Sequence, residues 1–387
     1  MKKIVQLITF LNDAGAENLI KNYCLNIDRR KFEMVVVTIF EFHTDCTVYR
    51  SIQKSGIQIL SVYDQRWKTN ALTERLSQWG KKHPSRLISR IWNRLLSDRV
   101  QQFLQNRFEK KTGCKLGKLL RFLKPDVIHA HLHVQNYMRY ARWDNNIRVY
   151  YTCHSEPYRY FSGVEYKNTE YLINRRGMRL IALHDEMRKT INSLFGKNDT
   201  LLLENWIDFS RFRSVYEAQD SIQEELGIFR GTFVLGTVGR IVVYKNQIFL
   251  VNVLKKIIDR GISAVLVIVG TGDEEIKKQI VNRAIDYGIE KNVLFLGVRS
   301  DVERIYKAMD VFALPSLFEG MSLVGIEAQV SGKKCLFSDR IPKAMNMSEK
   351  SFFCLSKMLN FGQIMQLIIK FAIQTFLTLM RLIFLKG

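Results

Sequence analysis

The sequence predicts an α/β protein made of two doubly wound domains, and three observations lead to that prediction. At 387 residues the chain is longer than one ordinary hydrophobic core needs. Short, continuously apolar segments of strand character alternate with helical segments, which is typical of parallel sheets covered on both faces. This alternation occurs twice. We therefore expect a first domain at 1–208, a connector at 209–231, a second domain at 232–350 and a tail at 351–387.

The first series opens as strand, loop, helix and strand. Lys2–Phe10 is an apolar strand segment, Glu17–Asn26 has helical character, and Glu33–Phe40 is a second strand. Further strands are expected at Ile57–Val62, Lys124–His131, Val149–His154, Leu180–Leu183 and the start of Leu201–Phe212. Their continuous apolar character favours a parallel sheet.

The second series repeats the plan after the connector. Its expected strands are Thr232–Gly239, Ala264–Gly270, Val293–Gly297, Val311–Pro315 and Lys334–Phe337. Its expected helices are Asn246–Arg260, Asp273–Tyr287, Val302–Ala308 and Gly325–Ser331. The alternation again predicts a doubly wound domain.

A strongly basic segment at about 66–124 interrupts the first series. It carries 16 Lys or Arg against three acidic residues and contributes much of the net charge of +22. Apolar residues recur there at spacings of three and four, which predicts basic amphipathic helix. One interpretation is a surface for anionic lipid head groups or an anionic acceptor. The other is a solvated helical insertion with its apolar face on the core. No helix-turn-helix, zinc-finger or RNP pattern supports nucleic acid as the partner.

Cysteine and histidine spacing points away from a metal site. The six cysteines show no C-x-x-C or related spacing, so we expect reduced thiols in a cytoplasmic protein. Met1–Phe10 lacks the apolar run of a secretion signal. His129, His131 and His133 alternate at a strand end, and ligand-cleft lining is favoured over zinc binding. His184 is expected to be structural or peripheral.

Polar clusters follow the ends of several strands, where open parallel sheets bind ligands. Gly15 would let the backbone approach a phosphate, and Glu17 opens a helix whose first amides favour anions. Arg240 and Lys245 place two cations after another strand. The arginine guanidinium can bind phosphate oxygens through two parallel N–H groups, and the lysine ammonium supplies a point charge. The alternatives are an ordinary loop glycine and two solvent-facing cations.

The stretch SLFEGMSLVGIE at 316–327 is the most informative. Glu319 lies in a turn after a buried strand, where it could accept hydrogen bonds from sugar hydroxyls. Glu327, about one and a half turns into the next helix, could reach a ribose. Backbone N–H groups from Gly320 to Leu323 would form a cradle for a diphosphate. Two surface acids at this spacing by chance are the alternative, which the apolar surroundings disfavour.

The chain resembles the family 4 glycosyltransferases of the GT-B fold, which serve bacterial capsule, exopolysaccharide and lipopolysaccharide assembly. The matching segments run to about Arg340 and are LNDAGAEN, DVIHAH, YYTCHSE, ENWIDFSRF, TVGRIVVYKN, VIVGTGDE, VLFLGVRSDV and PSLFEGMSLVGIEAQVSGKK. The last, with its E-x7-E pair, is the most specific. The resemblance implies two facing Rossmann-like domains with the donor in the cleft between them.

The resemblance also implies roles for individual residues. Glu319 and His154 would contact the transferred sugar, and Glu327 the ribose. The diphosphate would be bound by the side chains of Arg240 and Lys245 and by the backbone amides of Gly320, Met321, Ser322 and Leu323. Gly15 and Ala16 would line the phosphate side of the cleft. The base would be held by Leu296 and Val298, within the stretch Leu296 to Arg299.

The implied reaction is transfer of a sugar from a nucleotide-diphosphate donor, UDP-linked, to a lipid-linked or glycan acceptor. The family retains anomeric configuration and usually needs no metal or other cofactor, and no D-x-D triplet occurs here. A location at the inner face of the cell membrane is expected. A nucleotide-sugar epimerase of the same fold and a degenerate, non-catalytic homologue are the alternatives.

The tail departs from the family pattern. After Glu349 there is no acidic residue, and the apolar run Ile364–Leu385 is interrupted by Gln366, Lys370, Gln374 and Arg381. A helix lying on a membrane or on the first domain is favoured over a membrane span. A change of reading frame near residue 353 is a further interpretation.

Overall fold

A computed structural model describes residues 1–40, 44, 46–63, 98–212 and 222–353. The chain divides into two compact units. Unit 1 consists of Met1–Cys153 and Pro157–Leu203; unit 2 consists of His154–Glu156 and the chain from Glu204 onward. The boundary at Leu203 lies five residues before the end of the first domain predicted from the sequence.

Unit 1 is built on a seven-stranded sheet of order β3-β2-β1-β4-β5-β6-β7, in which all pairings are parallel. The strands are β1 Lys2–Ile8, β2 Phe32–Thr38, β3 Gln58–Ser61, β4 Val127–His131, β5 Arg148–Thr152, β6 Arg179–Ala182 and β7 Leu201–Leu202. β1 and β2 pair over their whole length, from Lys2 with Phe32 to Ile8 with Thr38. Strands flanked on both sides are buried on both faces, which explains their uninterrupted apolar sequences.

Helices connect these strands, as a parallel sheet requires. They are α1 Gly15–Asn26, α2 Thr47–Lys54, α3 Asp98–Leu123, α4 Gln135–Met138, α5 Pro157–Tyr160, α6 Gly163–Arg176 and α7 Asp185–Phe195. His184 begins α7: its Nδ1 accepts a hydrogen bond from Met187 N at 3.2 Å. That capping role is structural, as the sequence predicted for His184.

Helix α3 is the described part of the basic segment. Leu116 and Leu120 are fully buried. On the same side, a Cβ added at Gly113 would lie 2.3 Å from the carbonyl oxygen of Tyr137, and one at Gly117 would lie 2.6 Å from Arg142 N. Because neither position leaves room for a side chain, α3 lies directly on the backbone of the segment after β4. One face of the helix therefore packs on the core, while residues 66–97 of the predicted insertion lie outside the described part.

Unit 2 is built on a six-stranded parallel sheet of order β10-β9-β8-β11-β12-β13. Its strands are β8 Phe233–Val238, β9 Ala264–Val269, β10 Val293–Gly297, β11 Val311–Leu314, β12 Lys334–Phe337 and β13 Ser351–Phe353. Its helices are α8 Ile222–Glu225, α9 Ile248–Ile258, α10 Glu274–Asp286, α11 Val302–Ala308 and α12 Leu323–Val330. The core between sheet and helices includes Leu235, Leu254, Leu266 and Ile280, each fully buried.

In unit 2 the structure differs from the sequence prediction in two places. Helix α12 begins at Leu323, two residues before the predicted start. The sheet also continues past residue 350, where the second domain was expected to end. Ser351 pairs with Cys335 and Phe352 with Leu336, so β13 adds a sixth strand from what was assigned to the tail. The predicted helix Ile364–Leu385 lies outside the described residues.

No helix within the described ranges is both long enough and apolar enough to cross a membrane.

Candidate functional site

In unit 2, the segments after β8 and β9 touch through their backbones. Gly239 N donates to Val269 O at 2.9 Å, and Ile241 N donates to Thr271 O at 3.0 Å. A Cβ added at Gly270 would lie 2.2 Å from the carbonyl oxygen of Gly239. Only glycine allows this approach, which holds the segment carrying Arg240 and Lys245 against the centre of the sheet.

The same segment is joined to the one after β11. Leu317 N donates to Tyr244 O at 2.8 Å, and the Tyr244 and Phe318 rings stack with centroids 4.9 Å apart. Asn246 adopts a left-handed conformation with φ of 55°, and its side-chain amide lies 3.4 Å from Pro315 O. These contacts bring Lys245 and Glu319, predicted separately from the sequence, to one point.

Lys245 and Glu319 form an ion pair. Lys245 Nζ lies 2.5 Å from Glu319 Oε1, and Ser316 Oγ donates to the same oxygen at 2.7 Å. Only 13% of the lysine side chain and 11% of the glutamate side chain are exposed. Two charges at such low exposure compensate each other, and the hydroxyl fixes the carboxylate further. The result is a preformed polar cluster at the carboxyl end of the sheet.

Arg240 is exposed and lies on the same segment as Lys245. Its guanidinium donates from Nη2 to the Tyr244 hydroxyl at 2.9 Å, and its carbonyl accepts from Gln247 Nε2 at 2.8 Å. A guanidinium has five N–H donors, so one neutral hydrogen bond leaves most of its capacity for an anion.

The start of α12 lies next to Glu319. Ser322 occupies the N-cap position, but its side chain makes no capping hydrogen bond. Asn205 Nδ2 donates to Met321 O at 2.5 Å, which holds the turn Gly320 to Leu323 in place. The first amides of α12 are therefore not satisfied by a side-chain cap, an arrangement that suits an anion.

His154 contacts this turn through its backbone. A Cβ added at Gly320 would lie 2.4 Å from His154 O and 3.2 Å from Ser155 N, so the two segments touch directly. Burial lowers the pKa of His154 to about 4. At neutral pH its imidazole is therefore uncharged, with one nitrogen able to donate and the other to accept a hydrogen bond.

Glu327 lies on α12, where the Tyr306 hydroxyl is 3.0 Å from its Oε2 and 3.1 Å from Val324 O.

The residues predicted to hold the base lie at the end of β10 and just beyond it. Leu296 is half-buried near the end of β10, and Val298 just beyond it is 52% exposed. An exposed apolar side chain beyond a strand end is compatible with stacking against a planar ligand.

Gly15 and Ala16 belong to unit 1, at the start of α1. Gly15 is exposed and a Cβ there would meet nothing within 4 Å, whereas Ala16 is buried. Ala14 at the N-cap provides no side-chain hydrogen bond. The preceding residue, Asp13, contacts the start of α2 instead. Its carboxylate accepts hydrogen bonds from Thr47 N at 3.1 Å and from Val48 N at 3.0 Å.

The three histidines do not form one cluster. His129 Nε2 lies 2.7 Å from Thr152 Oγ1, and His131 Nε2 lies 2.7 Å from Gln6 Oε1, both buried in unit 1. His133 lies beyond the strand and is exposed, with Nδ1 3.8 Å from Glu165 Oε1. Among the described residues no group of three or more His, Cys, Asp or Glu could hold a metal ion.

Three contributors were missed as site residues from the sequence. Asn205 lies within the motif ENWIDFSRF, which is a usable signal for it. Ser316 opens the stretch SLFEGMSLVGIE, and its position there is the available signal. Tyr306 lies in an ordinary helical pattern with no signal of its own, because its partner Glu327 is 21 residues away.

Comparisons with known proteins identify the family of this chain. A model described as Glycosyltransferase Family 4 matches residues 14–211, and a model described as Glycosyl transferases group 1 matches residues 232–357. The chain belongs to glycosyltransferase family 4. The assignment predicted from the motifs is thus confirmed.

Two relatives in sequence and two solved structures show how similar this chain is to known proteins. The chain is 32% identical over 240 residues to an Escherichia coli UDP-Gal:alpha-D-GlcNAc-diphosphoundecaprenol alpha-1,3-galactosyltransferase, covering 60% of this family 4 chain and 62% of that protein. It is 24% identical over 357 residues to a Bacillus subtilis protein named as glycosyltransferase EpsF, covering 89% and 81%.

Among structures, Anabaena HepE in complex with UDP superimposes with a TM-score of 0.66 at 18% identity, over 96% of this chain and 90% of HepE. TarM of S. aureus gives 0.69 at 13% identity, over 97% and 95%. These likenesses concern the fold, and they confirm the predicted GT-B class.

Proposed function

We propose that this family 4 glycosyltransferase moves a sugar, with retention of anomeric configuration and without a metal ion, from a UDP-linked donor. The proposed acceptor is a lipid-linked or glycan molecule in cell-surface polysaccharide assembly. The observation that carries the proposal is the Lys245, Glu319 and Ser316 cluster beside the uncapped start of α12. Cationic and backbone donors for a diphosphate thus lie next to a carboxylate and hydroxyl suited to a sugar.

The proposed roles follow from the chemistry of each group. Lys245, Arg240 and the amides of Gly320 to Leu323 would bind the diphosphate and stabilise the charge that develops on it as the glycosidic bond breaks. Because these donors are fixed by hydrogen bonds, little reorganisation is needed at that moment. Glu319 would accept from sugar hydroxyls, and neutral His154 would contact the sugar as donor or acceptor. Gly15 and Ala16 remain proposed diphosphate neighbours.

Relatives supply the donor and acceptor classes. HepE was crystallised with UDP and with UDP-glucose, and TarM with UDP. The name of the E. coli galactosyltransferase specifies a UDP-sugar donor and a diphosphoundecaprenol-linked acceptor. These names support a uridine nucleotide held near Leu296 and Val298, and a lipid-linked acceptor.

The test is a donor screen with purified full-length chain in the presence of EDTA. UDP-, GDP- and ADP-sugars are compared by binding and by donor hydrolysis, with Glu319→Ala and Lys245→Ala as variants. Binding of UDP-sugars that survives EDTA and weakens in both variants supports the proposal. Failure of folded protein to bind any donor would overturn it. Conversion of free donor to its epimer without acceptor would favour an epimerase instead, and donor binding without transfer across acceptors a non-catalytic homologue.

We also propose that α3 rests on an anionic membrane surface at the inner face of the cell membrane. Its outward side carries Arg107, Lys110 and Lys118, all exposed, between Phe103 and Phe122 with 63% and 80% exposure. These residues span about 28 Å along one helix face. Its one acidic residue with a described side chain, Glu109, is buried and accepts a hydrogen bond from Gln105. Cations flanked by exposed aromatic rings suit lipid head groups.

Vesicle co-sedimentation of full-length protein tests this surface. Phosphatidylglycerol vesicles should retain the chain at low salt and phosphatidylcholine vesicles should not. Changing Arg107, Lys110 and Lys118 together to Glu should weaken binding by about 100-fold or more. The matched control changes Lys256, Lys278 and Lys291, exposed cations of unit 2, to Glu. Equal losses in both triple variants would show that only net charge matters.

A further inference from the structure

Tyr306 is a buried tyrosine whose hydroxyl reaches the carboxylate proposed to bind the ribose. The residue lies in α11 and is fully buried. Its hydroxyl is 3.0 Å from Glu327 Oε2 and 3.1 Å from Val324 O. The single hydroxyl proton thus faces two acceptors on the first turns of α12.

Packing alone explains the ring of Tyr306 but leaves the hydroxyl unaccounted for. The ring lies 5.8 Å from the Phe312 ring and 6.4 Å from the Phe212 ring, centroid to centroid. A phenylalanine would fill the same space in this apolar setting. What the hydroxyl adds is a hydrogen bond to a charged oxygen, which is among the stronger kinds.

The hydroxyl remains a donor throughout the working pH range. Burial and the neighbouring charge of Glu327 raise the pKa of Tyr306 well above its usual value. A permanent donor on one oxygen restricts the rotation of the glutamate side chain. A carboxylate held in this way loses less conformational freedom when it binds a ligand.

We propose that Tyr306 is a positioning residue that orients the Glu327 carboxylate toward the two ribose hydroxyls of the donor and so sets the preference for a ribonucleotide. The inference rests on the proposed function, because it assumes that Glu327 meets the ribose. A correctly aimed carboxylate accepts hydrogen bonds from vicinal hydroxyls, and it is left unpaired when those hydroxyls are missing. Discrimination by such a site is therefore large.

The test compares the affinities of UDP and 2′,3′-dideoxy-UDP for full-length protein by titration calorimetry. The ratio of the two affinities is the readout, since a general loss of stability lowers both alike. Tyr306→Phe should reduce the ratio by about tenfold relative to the unmodified chain. Tyr287→Phe is the matched control: its hydroxyl donates to Asn252 Oδ1 at 3.0 Å, and the ratio should not change.

A double variant tests whether Tyr306 acts through Glu327. Glu327→Gln should lower the ratio by itself, and adding Tyr306→Phe to it should lower the ratio no further. An unchanged ratio in Tyr306→Phe would overturn the positioning role while leaving donor binding intact. Failure of the unmodified chain to bind UDP would overturn the proposed function as well, so the two failures are distinguishable.

Discussion

The carboxyl ends of the two sheets differ in how their polar groups are used. In unit 2 the segments after different strands bind one another, through Lys245 with Glu319 and Tyr244 with Leu317. In unit 1 the polar groups there serve the fold: Asp13 caps α2, and His129 bonds Thr152 within the sheet. Two parallel sheets of similar architecture thus carry a preassembled polar cluster in unit 2 and mainly fold-stabilising hydrogen bonds in unit 1.

The difference separates two ways of making a binding surface. Unit 2 fixes a few charged groups by contacts between distant segments, which suits a ligand with invariant diphosphate and ribose parts. In unit 1 the outward face of α3 instead presents the exposed cations Arg107, Lys110 and Lys118. Substitutions in unit 2 should therefore lower activity or stability more than comparable ones in unit 1, and the substitutions at Gly320 and Gly15 compare the two units directly.

The largest effect is expected from Glu319→Gln. The change removes the negative charge that faces Lys245 and would meet the sugar, so kcat/KM for transfer should fall by about 100-fold or more. Rates with varied donor concentration measure it. Glu290→Gln, at an exposed site of unit 2, is the control and should retain full activity. A loss below threefold would remove Glu319 from the reaction.

Lys245→Ala should mainly weaken donor binding. Loss of a point charge near the diphosphate should raise the Kd for UDP by about 10- to 100-fold. Calorimetric titration measures the change, with Lys256→Ala, an exposed lysine on α9, as the control. Equal UDP affinity in both variants would contradict the assignment of Lys245 to the diphosphate.

A pair of glycine substitutions compares the two units directly. Gly320→Ala places a Cβ 2.4 Å from His154 O and should lower the free energy of unfolding by about 1–3 kcal/mol. Gly15→Ala meets open space at the start of α1 and should leave it unchanged or raise it by about 0.5 kcal/mol. Urea denaturation measures both. Similar results for the two variants would refute the close contact between Gly320 and His154.

The smallest effect concerns pH. Because burial lowers the pKa of His154 to about 4, the unfolded chain binds a proton near pH 6.5 that the folded chain resists. This contribution to stability is complete above about pH 7 and is lost as the pH falls toward 4. Between pH 7.5 and 5.5 the loss should be about 1 kcal/mol.

The measurement compares the unfolding free energies of the unmodified chain and of His154→Gln at both pH values. The other histidines, including His184, are the same in both proteins, so their effects cancel in the difference. The variant should lose about 1 kcal/mol less than the unmodified chain between these pH values. The same loss in both proteins would show that His154 titrates normally.

Sequence alone determined much of this protein because the relevant signals are local. Alternating apolar and helical segments predicted both sheets, and strand-end positions selected Arg240, Lys245, Glu319 and Glu327. The resemblance of its short motifs to family 4 glycosyltransferases pointed to the family. These inferences needed only neighbouring residues, whose side chains repeat with the periods of strand and helix.

Tertiary structure decided what depends on residues far apart in the chain. The pairing of Lys245 with Glu319 spans 74 positions, and that of Asn205 with Met321 spans 116. Two glycines settled how α3 packs, because only the opposing backbone shows why a side chain cannot fit there. β13 likewise became a strand through pairing with β12, since three residues carry too little local pattern to specify one.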